Sequence, residues 1–324
     1  MMANQSSKIV TVFGGSGFLG RHVVRALAKR GYRVRIAVRR PELAGFMQPQ
    51  GGVGQIFPVQ ANLRHDWSIE RAIEGADAVV NLVGILYETS KQSFESVHKD
   101  GAEAIAKATA KAGLKNLVQI SAIGADLESG SDYARTKAEG EKAVQAAVPE
   151  AVIVRPSLLI GPDDDFFNKF AEMSRFSPAL PLIGGGETKF QPAFVGDVAE
   201  VIARAVDGEL EAGQTYELGG PEEKSFKELL EIMLSETQRK RLLLPMPFGI
   251  AKALAWWTEM LPSPVLTCDQ VTLLKTDNVV SDAAKSAGRT FEGLGIKAQS
   301  VEAVVGSYLW SYRPAGQYEA NRAR

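Results

Sequence analysis

The sequence predicts an α/β protein: a doubly wound parallel sheet followed by a smaller, mostly helical C-terminal cap. Two observations carry this. Short β-branched apolar runs alternate with amphipathic stretches through the first half of the chain, the pattern of consecutive βαβ units. Those runs are near-continuously apolar, as expected of strands covered by helices on both faces.

In chain order, KIVTVFG (8–14) reads as a strand ending in glycine and RHVVRALAKRG (21–31) as a helix. RVRIAV (33–38), QIFPV (55–59), DAVVNLVG (77–84) and NLVQIS (116–121) repeat the strand theme, with helical stretches between, notably 95–113. YARTKAEGEKAVQAA (133–147) is a further helix and AVIVRP (151–156) a sixth strand. After residue 160 turn residues accumulate, and GPDDDFF and PALPLIGGGETKFQP read as loops. GDVAEVIARAVDG (196–208) and TYELGG (215–220) read as a helix and a strand that rejoin the sheet. KSFKELLEIMLSE (224–236) is amphipathic, with Phe226, Leu229, Leu230 and Met233 on one face, and 240–313 supplies smaller helices. The expected division is a core of 8–160 joined by 190–220, a cap of 161–189 and 221–315, and flexible termini at 1–7 and 316–324.

The chain of 324 residues is 45% hydrophobic, ample for a sizeable core. A net charge of −1 lacks the basic footprint of nucleic-acid binding. One cysteine, Cys268, excludes an internal disulfide and fits a reducing, cytoplasmic setting. MMANQSSK lacks the apolar run of a secretory signal, and no stretch of about 18 uninterrupted apolar residues predicts a membrane span. His22, His65, His98 and Cys268 are scattered without metal-ligand spacing, so no metal is expected.

FGGSGFLGR (13–21) lies between the first strand and the first helix, with Gly14, Gly17 and Gly20 three apart. One glycine permits the tight turn, one lets backbone approach a pyrophosphate, and one allows close helix packing, while the helix N-terminus attracts the anion. A lone triplet would also suit an empty tight turn. The strand before it, the helix after it and the βαβ repeats beyond make it the phosphate loop of a Rossmann core. An NAD site usually carries an acid at the tip of the second strand. Here Val38 is followed by Arg39 and Arg40, and Glu42 comes only after Pro41. Guanidinium groups suit a 2′-phosphate, so NADP(H) is expected in preference to NAD(H), with Arg21 beside the helix start. Solvated surface charge is the other reading of the arginines.

Tyr133 stands four residues before Lys137 in SDYARTK, which puts both on one helical face. A free tyrosine titrates near 10, so acid–base work at neutral pH needs a nearby cation to favour its anion. With Gly14/Gly17/Gly20, NLVG (81–84), Ser121 and RPS (155–157), in this order, the chain resembles the extended or atypical short-chain dehydrogenase/reductases. The resemblance implies that Tyr133 exchanges a proton with a carbonyl–alcohol pair. It implies that Lys137 favours the phenolate and holds the nicotinamide ribose, and that Ser121 hydrogen-bonds the substrate oxygen. The implied cofactor set is Gly14, Ser16, Gly17, Phe18, Leu19, Gly20, Arg39, Arg40, Asn62, Leu63, Val83, Gly84, Lys137 and Pro156. The family's active-site asparagine is absent: HKDG (98–101) puts His98 there. His98 either preserves a hydrogen-bonded water chain, marks a lost relay, or is a partly exposed helix residue.

VRPSLLIGPDDDFFNKFAEM, TKFQPAFVGDVAEVIARAV, LTCDQVTLLKTDNVVS and SYLWSYRPAGQY resemble a narrower group. This is the alpha-subcomplex subunit nine family, accessory subunits of respiratory complex I, with free-standing bacterial relatives. That resemblance implies tightly held NADPH and peripheral association with a membrane respiratory complex at the inner membrane. Three functions stay open at this point. One is an NADP(H)-binding reductase or sensor of an apolar carbonyl or quinone-like ligand. Another is a non-catalytic subunit stapled by NADPH, and the third an epimerase or dehydratase.

PMPFGIAKALAWWTEMLPSP (245–264) predicts an apolar helix of about fifteen residues. Ile250, Leu254, Trp257 and Leu261 share one face, Phe248, Ala251 and Ala255 lie near it, and Trp256 projects elsewhere. Such a helix is too short to span a bilayer. It packs in the cap, lines an apolar pocket, docks a partner or lies at a membrane surface.

Overall fold

The computed structural model describes residues 8–261 and 264–314; the termini expected to be flexible, and Pro262 of the bracketed apolar segment, lie outside the described residues. The chain divides into two compact units. The first comprises Met1–Arg155 and Gly196–Glu217, the second Pro156–Val195 and Leu218–Arg324.

The first unit begins with β1 (Ile9–Phe13), α1 (Phe18–Lys29), β2 (Arg33–Val38), β3 (Ile56–Gln60), α2 (Asp66–Ile73) and β4 (Ala78–Asn81). A π-type turn at Glu95–Lys99 leads into α3 (Asp100–Lys111), β5 (Leu117–Ile120), α4 (Asp132–Ala147) and β6 (Val152–Pro156). In the second unit β7 (Leu159–Ile160), α5 (Asp165–Phe176), β8 (Ala179–Ile183), β9 (Lys189–Phe190) and β10 (Ala193–Phe194) follow. The chain returns to the first unit with α6 (Val195–Val206) and β11 (Thr215–Leu218), and the second unit resumes with β12 (Lys224–Ser225), α7 (Phe226–Glu236), β13 (Leu242–Met246) and α8 (Phe248–Thr258). The last helices are α9 (Cys268–Leu273), α10 (Asp282–Ser286) and α11 (Val301–Val305).

The seven-stranded sheet runs β11-β6-β5-β4-β1-β2-β3, the doubly wound order the sequence predicts. β1 pairs parallel with both β2 and β4, so strand order reverses there and a crevice opens at the carboxyl ends of these two strands. Strand residues Val10, Val12, Val34, Ile36, Val79 and Val80 are fully buried, because crossover helices cover both faces. Across one face Ile69, Ala72, Ile105, Ala106 and Val144 bring α2, α3 and α4 into a common core. Arg30, at the end of α1, pairs with Glu200 of α6 and with Asp207 just beyond it, and Tyr32 Oη donates to Asp207 at 2.6 Å.

The second unit packs α5, α7, α11 and β8 around Phe167, Leu180, Phe226, Leu229, Leu230 and Met233. It corrects the reading of two segments as loops. Asp164 is the cap of α5: buried, its Oδ1 accepts from Phe167 N at 2.7 Å and Asn168 N at 3.3 Å. The aspartate run is thus a helix start rather than a turn. Ala179–Ile183 is a strand because β13 lies parallel to it, Leu242 opposite Ala179 through Met246 opposite Ile183. That partner is some sixty residues away, beyond any local signal. Met246 therefore belongs to a strand, and α8 spans 11 residues rather than about fifteen. The unit is mostly helical, as expected, and holds short two-stranded pairings as well.

Candidate active site

The glycine loop stands at the crevice. Gly14 has φ +76°, a left-handed conformation natural to glycine, and a Cβ there would sit 3.2 Å from the carbonyl carbon of Leu82. Gly17 N donates to Gly14 O at 3.0 Å, closing the turn. A Cβ on Gly20 would collide with the carbonyl oxygen of Gly14, so α1 rests directly on the loop. Gly17 differs from both. It is exposed and extended, and among the described residues beyond its chain neighbours a Cβ there would meet Gly14 O alone within 4 Å, at 3.3 Å. It caps α1 without a side-chain hydrogen bond, and the first turn of α1 carries no acid. An uncapped helix N-terminus beside open backbone fits a pyrophosphate. Ser16 is half-buried, Phe18 meets His22 edge-on at 6.0 Å, and Leu19 is buried under α1.

Arg39 and Arg40 follow β2 directly and are exposed. The segment beyond them, Pro41–Gln50, brings Phe46 beneath the Arg21 guanidinium, 5.7 Å from carbon to ring centroid. Asn62 and Leu63 follow β3. Asn62 is held by Ser68 Oγ through both its N–H (2.9 Å) and its carbonyl (3.0 Å). Leu63 packs on the core, and a Cβ on Gly101 would lie 2.7 Å from its Cδ1. Val83 N donates to Asn81 Oδ1 at 3.1 Å. Pro156 ends β6 and is buried.

The structure gathers a second group on α4 and its neighbours. Ser131 caps α4, its hydroxyl accepting from Ala134 N at 3.3 Å, which places Tyr133 in the first turn. Tyr133 is half-buried, and Lys137 Nζ lies 5.8 Å from its ring centroid. Lys137 is buried; desolvation brings its ammonium down to about 8, and Glu141 one turn on opposes the shift. Glu141 is itself clasped by Arg155 of β6 through two bonds of 2.8 and 2.6 Å, so Lys137 shares its counter-charge. Gly84 leaves Lys137 room: a Cβ there would lie 3.3 Å from Nζ. Ser121 follows β5, and its buried Oγ has no hydrogen-bond partner among the described residues. An orphaned buried hydroxyl is uncommon and fits a bound ligand or an ordered water.

His98 is buried at 2% exposure, not partly exposed. It stacks on Phe94 at 5.4 Å and meets Tyr133 edge-on at 5.2 Å. Ile85 N donates to its Nε2 at 3.1 Å, which puts the ring proton on Nδ1, facing Thr136 Oγ1 at 3.2 Å. Thr136 Oγ1 in turn donates to Asp132 O at 2.7 Å. Desolvation, and then the charge of Lys137, drive His98 down to about 2. Both ring nitrogens are occupied by protein, so His98 is a neutral bracket rather than a link in a water chain. Sequence reasoning missed Gly140. A Cβ there would collide with the carbonyl oxygen of His98, so this glycine lets α4 approach the π-type turn. The available signal was a glycine inside a helix, which costs about 1 kcal/mol unless packing requires it.

These features are those of a dinucleotide-binding protein, with Ser121 at the end of β5 and Tyr133 and Lys137 on α4. The chain belongs to the NAD dependent epimerase/dehydratase family, whose model matches residues 10–219. Within it, the chain is an atypical short-chain dehydrogenase/reductase related to the complex I accessory subunit. It is 38% identical over 323 residues to NADH dehydrogenase [ubiquinone] 1 alpha subcomplex subunit 9, mitochondrial, of Arabidopsis thaliana, covering 96% of this chain and 79% of the relative. A ceramide reductase of Caulobacter vibrioides is 35% identical over 56% of each chain. Among solved structures, the triphenylmethane reductase of Citrobacter sp. shares the fold, with a TM-score of 0.73 at 19% identity, covering 93% of this chain and 99% of that one.

Proposed function

We propose that this chain is an NADP(H)-dependent reductase of an apolar carbonyl or quinone-related compound. The observation that carries the reading is the buried, unpartnered Ser121 Oγ, in a chain that also sets Tyr133 against a buried lysine. A carbonyl oxygen bound in this site would accept the hydrogen bond that Ser121 Oγ offers.

The backbone of Gly14–Gly20 and the start of α1 would hold the pyrophosphate, Arg39 the 2′-phosphate and Lys137 the ribose. NADPH bound there supplies a hydride. The chain's own part is the proton. Ser121 donates a hydrogen bond to the carbonyl oxygen and so polarises it. Tyr133 gives its phenolic proton to that oxygen as it becomes an alcohol. Lys137 stabilises the phenolate left behind. His98 keeps its single proton on Nδ1 throughout and holds the Gly84–Ile85 backbone in place.

A second reading is favoured by the 38% identity to a complex I subunit along almost the whole chain. In it the protein is an NADPH-stapled component at the periphery of a membrane respiratory complex, on the cytoplasmic side of the membrane. The likeness to a ceramide reductase favours the first.

Tyr133→Phe separates the two. NADPH affinity and the consumption of NADPH with apolar ketones and quinones are measured for wild type and variant. The reductase reading expects unchanged affinity and turnover lower by roughly 100-fold to 10,000-fold. A wild type that binds NADPH, gains melting temperature from it and reduces no member of the panel is the stapled subunit.

A further inference from the structure

α8 is inverted relative to an ordinary surface helix. Its small residues Ala251 and Ala255 are fully buried, against Ile183 and Val271. Its large apolar residues turn outward: Ile250, Leu254, Trp256 and Trp257, continued by Met260 and Leu261, are 46 to 65% exposed. Positions 250, 254 and 257 form one helical stripe, Trp256 projects from another side of the helix, and Met260 and Leu261 follow just past its end. The two indole rings meet edge-on at 5.3 Å. A contiguous outward apolar face marks an interaction surface, whereas single exposed apolar residues do not.

The charges of the same stretch indicate what covers it. Residues 239–261 carry Arg239, Lys240, Arg241 and Lys252 against Glu259 alone, in a chain of net charge −1. The arginines lead into β13, whose Leu242 and Leu244 are exposed. Burial, and then the positive charges of Arg241 and Arg175, hold the Arg239 guanidinium below its usual range, so the three lie near one another. Glu172 pairs with Arg175, while Arg239 donates to Tyr312 O and Arg241 to Ser174 O, so neither of these two is paired with a carboxylate among the described residues. Arg175 also covers the exposed ring of Phe176 at 5.5 Å. Apolar helix, exposed tryptophans and clustered bases together are the signature of a segment lying on an anionic lipid surface. At 11 residues α8 is about 16 Å long, far short of the roughly 30 Å hydrocarbon core. Among the described residues no helix is long and apolar enough to cross a membrane.

We propose that this face docks on an anionic bilayer. α8 lies in the interfacial plane with its tryptophans at headgroup depth, and the bases at the start of β13 meet lipid phosphates. Every residue invoked lies in the second unit, so the inference stands apart from the cofactor site.

The test incubates the full chain with vesicles of phosphatidylcholine, with or without phosphatidylglycerol, and measures cosedimentation. Quenching of tryptophan emission by brominated phosphatidylcholine is recorded alongside, in vesicles that contain phosphatidylglycerol. Wild type is expected to cosediment with the anionic vesicles, more weakly at high salt, and to be quenched. Lys240→Gln should weaken binding about fivefold. Trp256→Ser combined with Trp257→Ser should weaken it at least ~10-fold while NADPH affinity stays unchanged. If the double variant loses NADPH binding and hence its fold, quenching of wild type decides, and none overturns the proposal. Failure to bind either vesicle also overturns it, as does full binding by a folded double variant. Self-association lost in that variant, without vesicle binding, would make the face a contact between copies.

Discussion

The backbone N–H of Ile85 donates to Nε2 of His98 at 3.1 Å, tying the segment after β4 to the turn that packs on Tyr133. This bond needs a neutral imidazole. With the folded pKa near 2 and the unfolded value near 6.5, the unfolded chain binds a proton that the native chain refuses. The contribution of His98 is therefore intact above 6.5 and is lost progressively as pH falls from there towards 2. Between pH 7 and pH 5 the loss is about 2 kcal/mol. Urea unfolding at both pH values should show it in wild type, and His98→Asn should remove that part of the difference. An equal pH dependence in both proteins would mean that His98 titrates normally.

Lys137 has a consequence of the same sign, at higher pH, for the nucleotide-free protein. Its pKa near 8 lies below the ordinary 10.5, so the unfolded state holds the extra proton between these values and stability from this group rises across that window. Below pH 8 the buried ammonium is destabilising by up to about 3 kcal/mol. Lys137→Met should raise the melting temperature of the nucleotide-free protein, since Glu141 keeps its bonds to Arg155. The same variant should lose most of the melting shift caused by NADPH. Saturating ligand at 100 times its dissociation constant supplies about 2.7 kcal/mol, so both effects are readable by calorimetry.

Arg39 stands exposed one residue beyond β2. Arg39→Asp should weaken NADPH by about 10-fold to 100-fold, the worth of a charge-assisted bond of roughly 1.5–3 kcal/mol, and leave NADH little changed. Titration of both nucleotides measures this. Equal losses would take Arg39 out of cofactor selection.

Gly17 and Gly20 should separate binding from folding. The Cβ of Gly17→Val would meet Gly14 O at 3.3 Å and needs no left-handed φ, so the variant should fold and yet lose NADPH. Gly20→Ala would drive a methyl into the loop backbone and should lower the melting temperature without any nucleotide present. A Gly17→Val protein that copurifies with nucleotide would show that the pyrophosphate lies elsewhere.

Much of this was legible in one dimension. β1, the glycine triplet and α1 are contiguous in sequence, so spacing and φ preference alone locate the loop. Tyr133 and Lys137 are one helical turn apart, a separation that the 3.6-residue period makes a contact wherever the helix forms. The run of apolar strands likewise implied helices on both faces, because a half-exposed strand would have alternated.

The rest depended on partners remote in sequence. β8 is a strand only because β13 lies beside it, and the DDDFF run begins a helix because buried Asp164 caps it. His98 is neutral because the fold brings Ile85, Thr136 and Lys137 around it and excludes water. Gly140 matters because two helices cross closely at that point. In α8, periodicity identified an apolar stripe, and only packing decided that the alanines face inward and the tryptophans outward. The physical reason is common to all: the chain's period sets which residues share a face, while burial, desolvation and hydrogen-bond partners exist only once distant segments meet.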